Sequence, residues 1–320
     1  MASLKLIVLS DPGASHLSEL SRLPAGTQVV TTLSSERAVA EAPDTDVILN
    51  CTGRGELMEA MWPAAKRLRW VHSMAAGVEG QLFRDLVESD IPLTNSRGVY
   101  KESLGEFVMA AALFFAKDLR RMMANRAARN WEQFDVEMLA GRTMGIVGYG
   151  EIGGACARRA KAFGMTVYAM RRRPAEPSDI VDRWYTGSEL LDLMQVSDYV
   201  VVTAPLTPET RGLIGAEQIA AMKPNAIIMN VGRGPVIDET ALARALQARS
   251  IRGAALDVFE TEPLPPEHPF WALDNVLLSP HCADHVDGWL ESAVTFFVSN
   301  FERFVAGQPL ENVVDKRAGY

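Results

Sequence analysis

The stretch "TMGIVGYGEIGGACARRAKAFG", residues 143–164, restricts the fold more than any other part of this chain. An apolar run, a glycine-rich turn spaced Gly148-x-Gly150-x-x-Gly153 and an Ala-rich helical stretch follow one another without a gap. In such a unit the three glycines serve in turn a tight turn, close approach of backbone to a pyrophosphate, and close packing of helix on strand. The helix start offers unpaired N–H groups and a positive dipole end to phosphate. The spacing predicts a dinucleotide-binding unit with cofactor contacts at Gly148, Gly150, Glu151, Ile152 and Gly153.

The flanking sequence agrees. "LKLIVLS", "QVVTTL", "DVILNC", "RWVHSM" and "IPLTNS" read as five strands before residue 97. A second set comprises "TMGIVG", "TVYAM", "DYVVVTAP", "AIIMNV", "GAALDV" and "NVLLSP". Strands alternating with helical patterns predict an α/β protein of two Rossmann-like, doubly wound parallel sheets. Because the glycine unit lies mid-chain, the expected cofactor domain, 101–286, is inserted into a substrate domain built from 1–100 and 287–320. One long helix should begin near Ser103, with Ser103 and Glu106 as a capping box, and a final helix should cover roughly 288–306.

At the end of the second strand of the glycine unit, an acidic residue that grips the adenosine ribose is expected. The chain has Arg171, Arg172 and Arg173 there instead. By itself the cluster reads as a solvated strand end. Beside the glycine turn it reads as a seat for a 2′-phosphate, which guanidinium groups bind by charge-assisted hydrogen bonds and a carboxylate would repel. NADP(H) is therefore the expected cofactor, in preference to NAD(H).

The net charge of −8 argues against broad nucleic-acid binding. Three widely spaced cysteines, Cys51, Cys156 and Cys282, indicate neither a disulfide framework nor a zinc ribbon. The first residues read as a strand, not a membrane span, so a cytoplasmic protein without membrane attachment is expected. His281, Cys282, Asp284 and His285 could each ligate a metal, but their crowding fits a tetrahedral site poorly, and no metal is expected. Asp284 and His285 read instead as helix-start or cleft residues. Tyr100, Trp131 and Trp289 are either cleft aromatics or core, Arg54 faces a cleft or solvent, and His16, His72 and His268 read as structural.

Three further segments supply an Arg, a Glu and a His after strands of the second set: "NVGRGPVID" (230–238), "AALDVFETEPLP" (255–266) and "SPHCADH" (279–285). Reduction of a 2-oxo acid needs such groups, to hold a carboxylate, donate a proton and keep the donor charged. With "APLTPETRGLIG" (204–215), "MKPNAIIMNVGRG" (222–234) and "NVLLSPH" (275–281), these segments resemble the D-isomer-specific 2-hydroxyacid dehydrogenases over nearly the whole chain. The resemblance implies Arg233 as the substrate-binding arginine, Glu262 as the catalytic carboxylate and His281 as the acid/base. It implies further cofactor contacts at Ala204, Pro205, Thr210, Val231, Gly232, Arg233, Asp257 and His281, with Asp257 near the nicotinamide carboxamide. "HSMAAGVE" (72–79) resembles the loop whose amides receive the substrate carboxylate, which puts Ala75, Ala76 and Gly77 with Arg233 and His281 at the substrate. A small 2-oxo or 2-hydroxy carboxylate substrate, a cleft active site and a homodimer are implied with it. Departures are Arg171 in the acidic position, Gly232 before the arginine, and "CAD" in place of the common "IAG" after His281. Regulators of the same fold could keep these residues; long disordered tails or a peptide-docking segment would favour that alternative, and neither is evident.

Overall fold

A computed structural model describes residues 3–172 and 179–320, so Arg173 of the arginine cluster lies outside the described residues. The chain divides into two compact units, Met1–Tyr100 with Val286–Tyr320, and Lys101–His285.

The smaller unit is a five-stranded sheet in the order β2-β1-β3-β4-β5. Its strands are β1 (Lys5–Leu9), β2 (Gln28–Thr32), β3 (Val47–Asn50), β4 (Trp70–Ser73) and β5 (Leu93–Asn95), all parallel. β1, β3 and β4 are buried at every position, as expected for parallel strands covered on both faces. Short helices α1 (Ser35–Glu41), α2 (Glu56–Met61) and α3 (Arg84–Glu88) connect them. Met58, Met61 and Leu86 from these helices close one core on Ile7, Ile48 and Val71. On Trp70, Phe297 of the returning C-terminal helix stacks at 5.2 Å. The indole N–H of Trp70 donates to the Thr94 hydroxyl at 2.8 Å, so its polar edge is satisfied inside the core.

The larger unit carries seven parallel strands in the order β12-β11-β10-β9-β6-β7-β8. They are β6 (Thr143–Val147), β7 (Thr166–Met170), β8 (Arg183–Tyr185), β9 (Tyr199–Val202), β10 (Ile227–Asn230), β11 (Gly253–Leu256) and β12 (Val276–Leu278). The order reverses between β6 and β9, and ligands in open sheets of this kind bind at the carboxyl edge of that switch. Helices α4 (Lys101–Ala116), α5 (Leu119–Ala128), α6 (Glu151–Ala162), α7 (Leu190–Val196), α8 (Ala216–Ala220) and α9 (Glu239–Gln247) belong to this unit, and α10 (Trp289–Val305) to the smaller one.

Two expectations need correction, and one strand was missed. The single long helix is two, because Asp118 adopts φ 46° between α4 and α5 and its carboxylate caps the Arg121 N–H at 3.3 Å. Asp tolerates that left-handed conformation better than most residues. The capping box does not form either: α4 already starts at Lys101, the Ser103 hydroxyl donates to the Ala283 carbonyl at 2.6 Å, and Glu106 faces Arg159. β8 was not foreseen. Among the described residues, no helix is long and apolar enough to cross a membrane.

Candidate active site

The glycine turn leaves β6 at the switch point. Gly148 has φ +93°, and a Cβ there would lie 2.7 Å from the Ala204 backbone. A Cβ on Gly153 would meet the Gly148 carbonyl oxygen at 2.8 Å, whereas one on Gly150 would enter open space. Two glycines are thus demanded by the fold, and the third keeps open the N-terminal approach to α6. Gly150 caps that helix without a side chain, and Glu151 opens it beside Ile152, its carboxylate bonded to Lys101 at 2.6 Å. The turn offers what a pyrophosphate needs: unobstructed amides at a helix start.

Around it, Ala204 and Val231 are buried against the sheet and Pro205 is exposed. Gly232 packs so closely that a Cβ would sit 2.8 Å from the Ala204 carbonyl oxygen. The Thr210 hydroxyl donates to the Pro205 carbonyl at 2.6 Å and accepts from the Thr207 N–H at 2.8 Å, so it closes its own loop. Arg171 and Arg172 follow β7, the first half-buried and the second exposed.

β10, β11 and β12 are neighbours, and the segments following them carry Arg233, Glu262 and His281. Asn230 braces the first: its side-chain oxygen accepts from the Gly232 N–H and its amide donates to the Arg233 carbonyl, both at 3.0 Å. Glu262 accepts from the Phe259 N–H through one oxygen at 2.8 Å and bonds His281 Nδ1 through the other at 2.7 Å. Both oxygens are therefore fixed, and Nε2 is the ring nitrogen that Glu262 does not engage. His281 itself has φ 52°, uncommon for a residue with a Cβ.

Asp257 holds that backbone. Its carbonyl accepts the His281 N–H at 2.9 Å, and one carboxylate oxygen accepts from the Ser279 hydroxyl at 2.5 Å and from the Cys282 and Ala283 amides at 3.0 and 3.1 Å. The loop carrying Glu262 is braced in turn by buried Glu239, which accepts the Glu260 N–H at 2.5 Å and stands 3.5 Å from His268.

Electrostatics follow this geometry. The hydrogen bond from Glu262 raises the His281 pKa above its ordinary value, against burial, which lowers it. Burial alone would raise Glu262, but the His281 and Phe259 bonds outweigh it and hold the carboxyl below the usual range. Arg233 acts on both members: it favours the Glu262 anion and opposes the His281 cation. Burial pushes Asp284 upward. Its separation from His285 is 3.7 Å, and among the described residues no group of three or more His, Cys, Asp or Glu could hold a metal.

In the smaller unit, Ala75, Ala76 and Gly77 follow β4. A buried relay shapes this loop: Asn50 donates to Gln81 at 2.8 Å, Gln81 to the Ser73 hydroxyl at 2.6 Å, and Asn95 to the Ala76 carbonyl at 2.6 Å. The Ala75 N–H is already used, on the Ser73 hydroxyl at 3.1 Å. Among the described residues, none accepts from the Ala76 or Gly77 N–H. Tyr100 donates to the Met74 carbonyl at 2.9 Å and meets Trp289, whereas Trp131 is 94% exposed and no part of a core. His72 is fully buried, which pushes its pKa down to about 3, and is structural.

Asn230, Glu239 and Ser279 were missed from sequence. Asn230 lay in a motif segment, yet only its two reciprocal bonds to the arginine loop reveal what it does. Gly234 was also passed over: a Cβ there would fall inside the Phe259–Glu260 backbone, so the arginine and glutamate loops rest directly on each other. Gly234→Ala should lower stability by about 1–3 kcal/mol through overpacking. An unchanged urea midpoint would show that the loops are not so constrained.

The model for the D-isomer specific 2-hydroxyacid dehydrogenase NAD binding domain matches residues 109–283. The chain is 33% identical over 315 residues to D-3-phosphoglycerate dehydrogenase of Methanocaldococcus jannaschii, an alignment covering 97% of this chain and 59% of that protein. This chain therefore spans about three-fifths of that relative's length. It is 38% identical over 267 residues to glyoxylate reductase of Korarchaeum cryptofilum, covering 80% of this chain and 79% of that one. Among solved structures, the D-isomer specific 2-hydroxyacid dehydrogenase from Xanthobacter autotrophicus Py2, in complex with NADPH and MES, superposes with a TM-score of 0.84 at 31% identity, covering 100% of each chain. With a family model matched over more than half its residues and a relative aligned over nearly all of them, this chain belongs to the D-isomer-specific 2-hydroxyacid dehydrogenase family.

Proposed function

We propose that the protein reduces a small 2-oxo acid to the D-2-hydroxy acid, reversibly, with NADPH as the preferred nucleotide. The larger unit is the dinucleotide-binding domain of this reading, and the smaller is the substrate-binding one. The observation that carries the chemistry is the 2.7 Å Glu262–His281 pair, electrostatically coupled to Arg233 on the neighbouring loop. Relatives named glyoxylate reductase and a neighbour solved with NADPH support the substrate class and the nucleotide.

A bound nicotinamide nucleotide supplies the hydride. His281, kept protonated by Glu262, delivers a proton from Nε2 to the substrate's carbonyl oxygen. Arg233 polarises that carbonyl and holds the carboxylate beside it; the Ala76 and Gly77 amides of the smaller unit are the further carboxylate donors that the family resemblance implies. Ala75 contributes through the loop it shapes, since its N–H is engaged. Asp257 fixes the backbone at His281 and so sets the acid's position, and it would stand near a bound nicotinamide's carboxamide, as the resemblance implies. Gly148, Gly150, Glu151, Ile152 and Gly153 would receive the pyrophosphate, and Ala204, Pro205, Thr210, Val231 and Gly232 would line the nucleotide's edge.

An assembly of two copies is part of the reading. Met122, Met123, Trp131, Val136 and Met138 are exposed on α5 and the segment after it, and exposed apolar patches mark association surfaces.

Steady-state kinetics with glyoxylate, hydroxypyruvate and branched or aromatic 2-oxo acids, each with NADPH and NADH, test the function; no turnover of any of them would end it. Arg233→Lys keeps the charge but loses the planar two-point contact. Losing one charged hydrogen bond costs about 1.5–3 kcal/mol, so kcat/KM should fall roughly 10- to 150-fold. Equal activity of the wild type on ketones lacking a carboxylate would contradict the arginine's assigned role.

A further inference from the structure

The arginine cluster has a neighbour that no motif announces. Trp184 lies on β8, half-buried, paired across the ladder with Ala169 of β7. Side chains alternate along a strand, so Arg171, two residues beyond Ala169, falls on the face of the sheet that carries Trp184. The guanidinium carbon stands 5.5 Å from the centre of the indole ring. Tyr149, between two glycines of the turn, meets the same indole edge-on at 4.9 Å and 80°. The turn is also tied to the end of β7, where the Gly148 N–H donates to the Met170 carbonyl at 3.0 Å. Turn, strand end and β8 therefore converge on one ring.

A long arginine at a strand end loses conformational freedom when it must take one position to bind a ligand. An aromatic face attracts the cation through the ring, an interaction that does not itself take up guanidinium N–H groups. In folds of this type the adenosine ribose lies at the end of the strand that β7 represents. Resting on the NADPH reading above, we infer that Trp184 is a positioning residue for cofactor choice. It holds Arg171 where a 2′-phosphate binds, and Tyr149 registers that platform against the glycine turn.

The test uses 2′,5′-ADP and ADP, which differ in the 2′-phosphate, titrated calorimetrically into the full chain. Trp184→Leu should weaken 2′,5′-ADP roughly three- to tenfold and leave ADP unchanged. Trp184→Phe, which keeps an aromatic face, should retain most of the affinity. In an Arg171→Ala background, Trp184→Leu should have no further effect, since the platform acts only through the arginine. Equal weakening of both probes, or an undiminished effect without Arg171, overturns the inference. If Arg171→Ala weakens 2′,5′-ADP while Trp184→Leu does not, the platform alone falls. If Arg171→Ala leaves 2′,5′-ADP binding intact, the cofactor reading falls and takes the platform with it.

Discussion

His281→Ala should lower kcat for reduction 10²- to 10⁴-fold, the range typical of a lost general acid, while nucleotide binding persists. The companion change, Glu262→Gln, separates the proton donor from the group that charges it. An unperturbed imidazole has a pKa of about 6.5 and is mostly neutral at pH 7. The Glu262 bond raises that value, so the reductive reaction should be full below the raised pKa and decline as pH climbs through it. Oxidation of the hydroxy acid needs the neutral base and should show the reverse trend. Without the Glu262 anion, burial and Arg233 remain and lower the His281 pKa, against a smaller raising contribution from Asp257. The reductive limb should therefore move to lower pH in Glu262→Gln, with a smaller loss below the limb than at neutrality. A profile that stays in place, under conditions where a solvent isotope effect shows proton transfer limiting, would uncouple the pair.

Which parts of this arrangement could be read from sequence follows from how each is encoded. Buried parallel strands announce themselves as continuous apolar runs, and "YVVV" of β9 is buried at all four positions. β8 is three residues long with an exposed Arg183 at its start, so it gives no periodic signal, and the recognisable run "TVYAM" of β7 had already ended at Met170. The break at Asp118 was hidden for a different reason. The helical pattern continues through it, and the turn depends on a left-handed backbone that a lone Asp does not advertise.

At the site, Arg233, Glu262 and His281 were legible as residue types following successive strands. Their mutual geometry was not, because it depends on supports contributed by distant residues. Asp257 illustrates the difference: resemblance implies a nicotinamide neighbour, while the fold gives its carboxylate to Ser279, Cys282 and Ala283. Gly234 resembles any loop glycine until the Phe259 backbone is placed against it. The Ala75 loop resembles a carboxylate receiver in sequence, yet which N–H groups are already spent depends on Ser73 and the buried relay behind it.

Arg171→Asp should move cofactor preference by more than any change outside the acid/base pair. On the NADPH reading, two charge-assisted contacts to a 2′-phosphate, at the lower estimate of about 1.5 kcal/mol each, should give wild type roughly 10²-fold in kcat/KM for NADPH over NADH. Asp removes Arg171's share and sets an anion against the phosphate, and a carboxylate there can accept the ribose hydroxyls of NADH. The NADPH-to-NADH ratio should consequently drop about 10²- to 10³-fold, driven by weaker NADPH binding, with kcat for the favoured nucleotide nearly kept. Arg172 is exposed close behind and acts on Glu209, so part of the wild-type preference should survive Arg171→Ala and fall further when Arg172 is changed with it. Arg233, Glu262 and His281 follow β10, β11 and β12, across β9 and β6 from these arginines, so the pH profile of reduction should not move in Arg171→Asp. A ratio unchanged by Arg171→Asp would remove the arginine from the nucleotide site. A ratio that changes together with the pH profile would point to a disturbed unit instead of a lost phosphate contact.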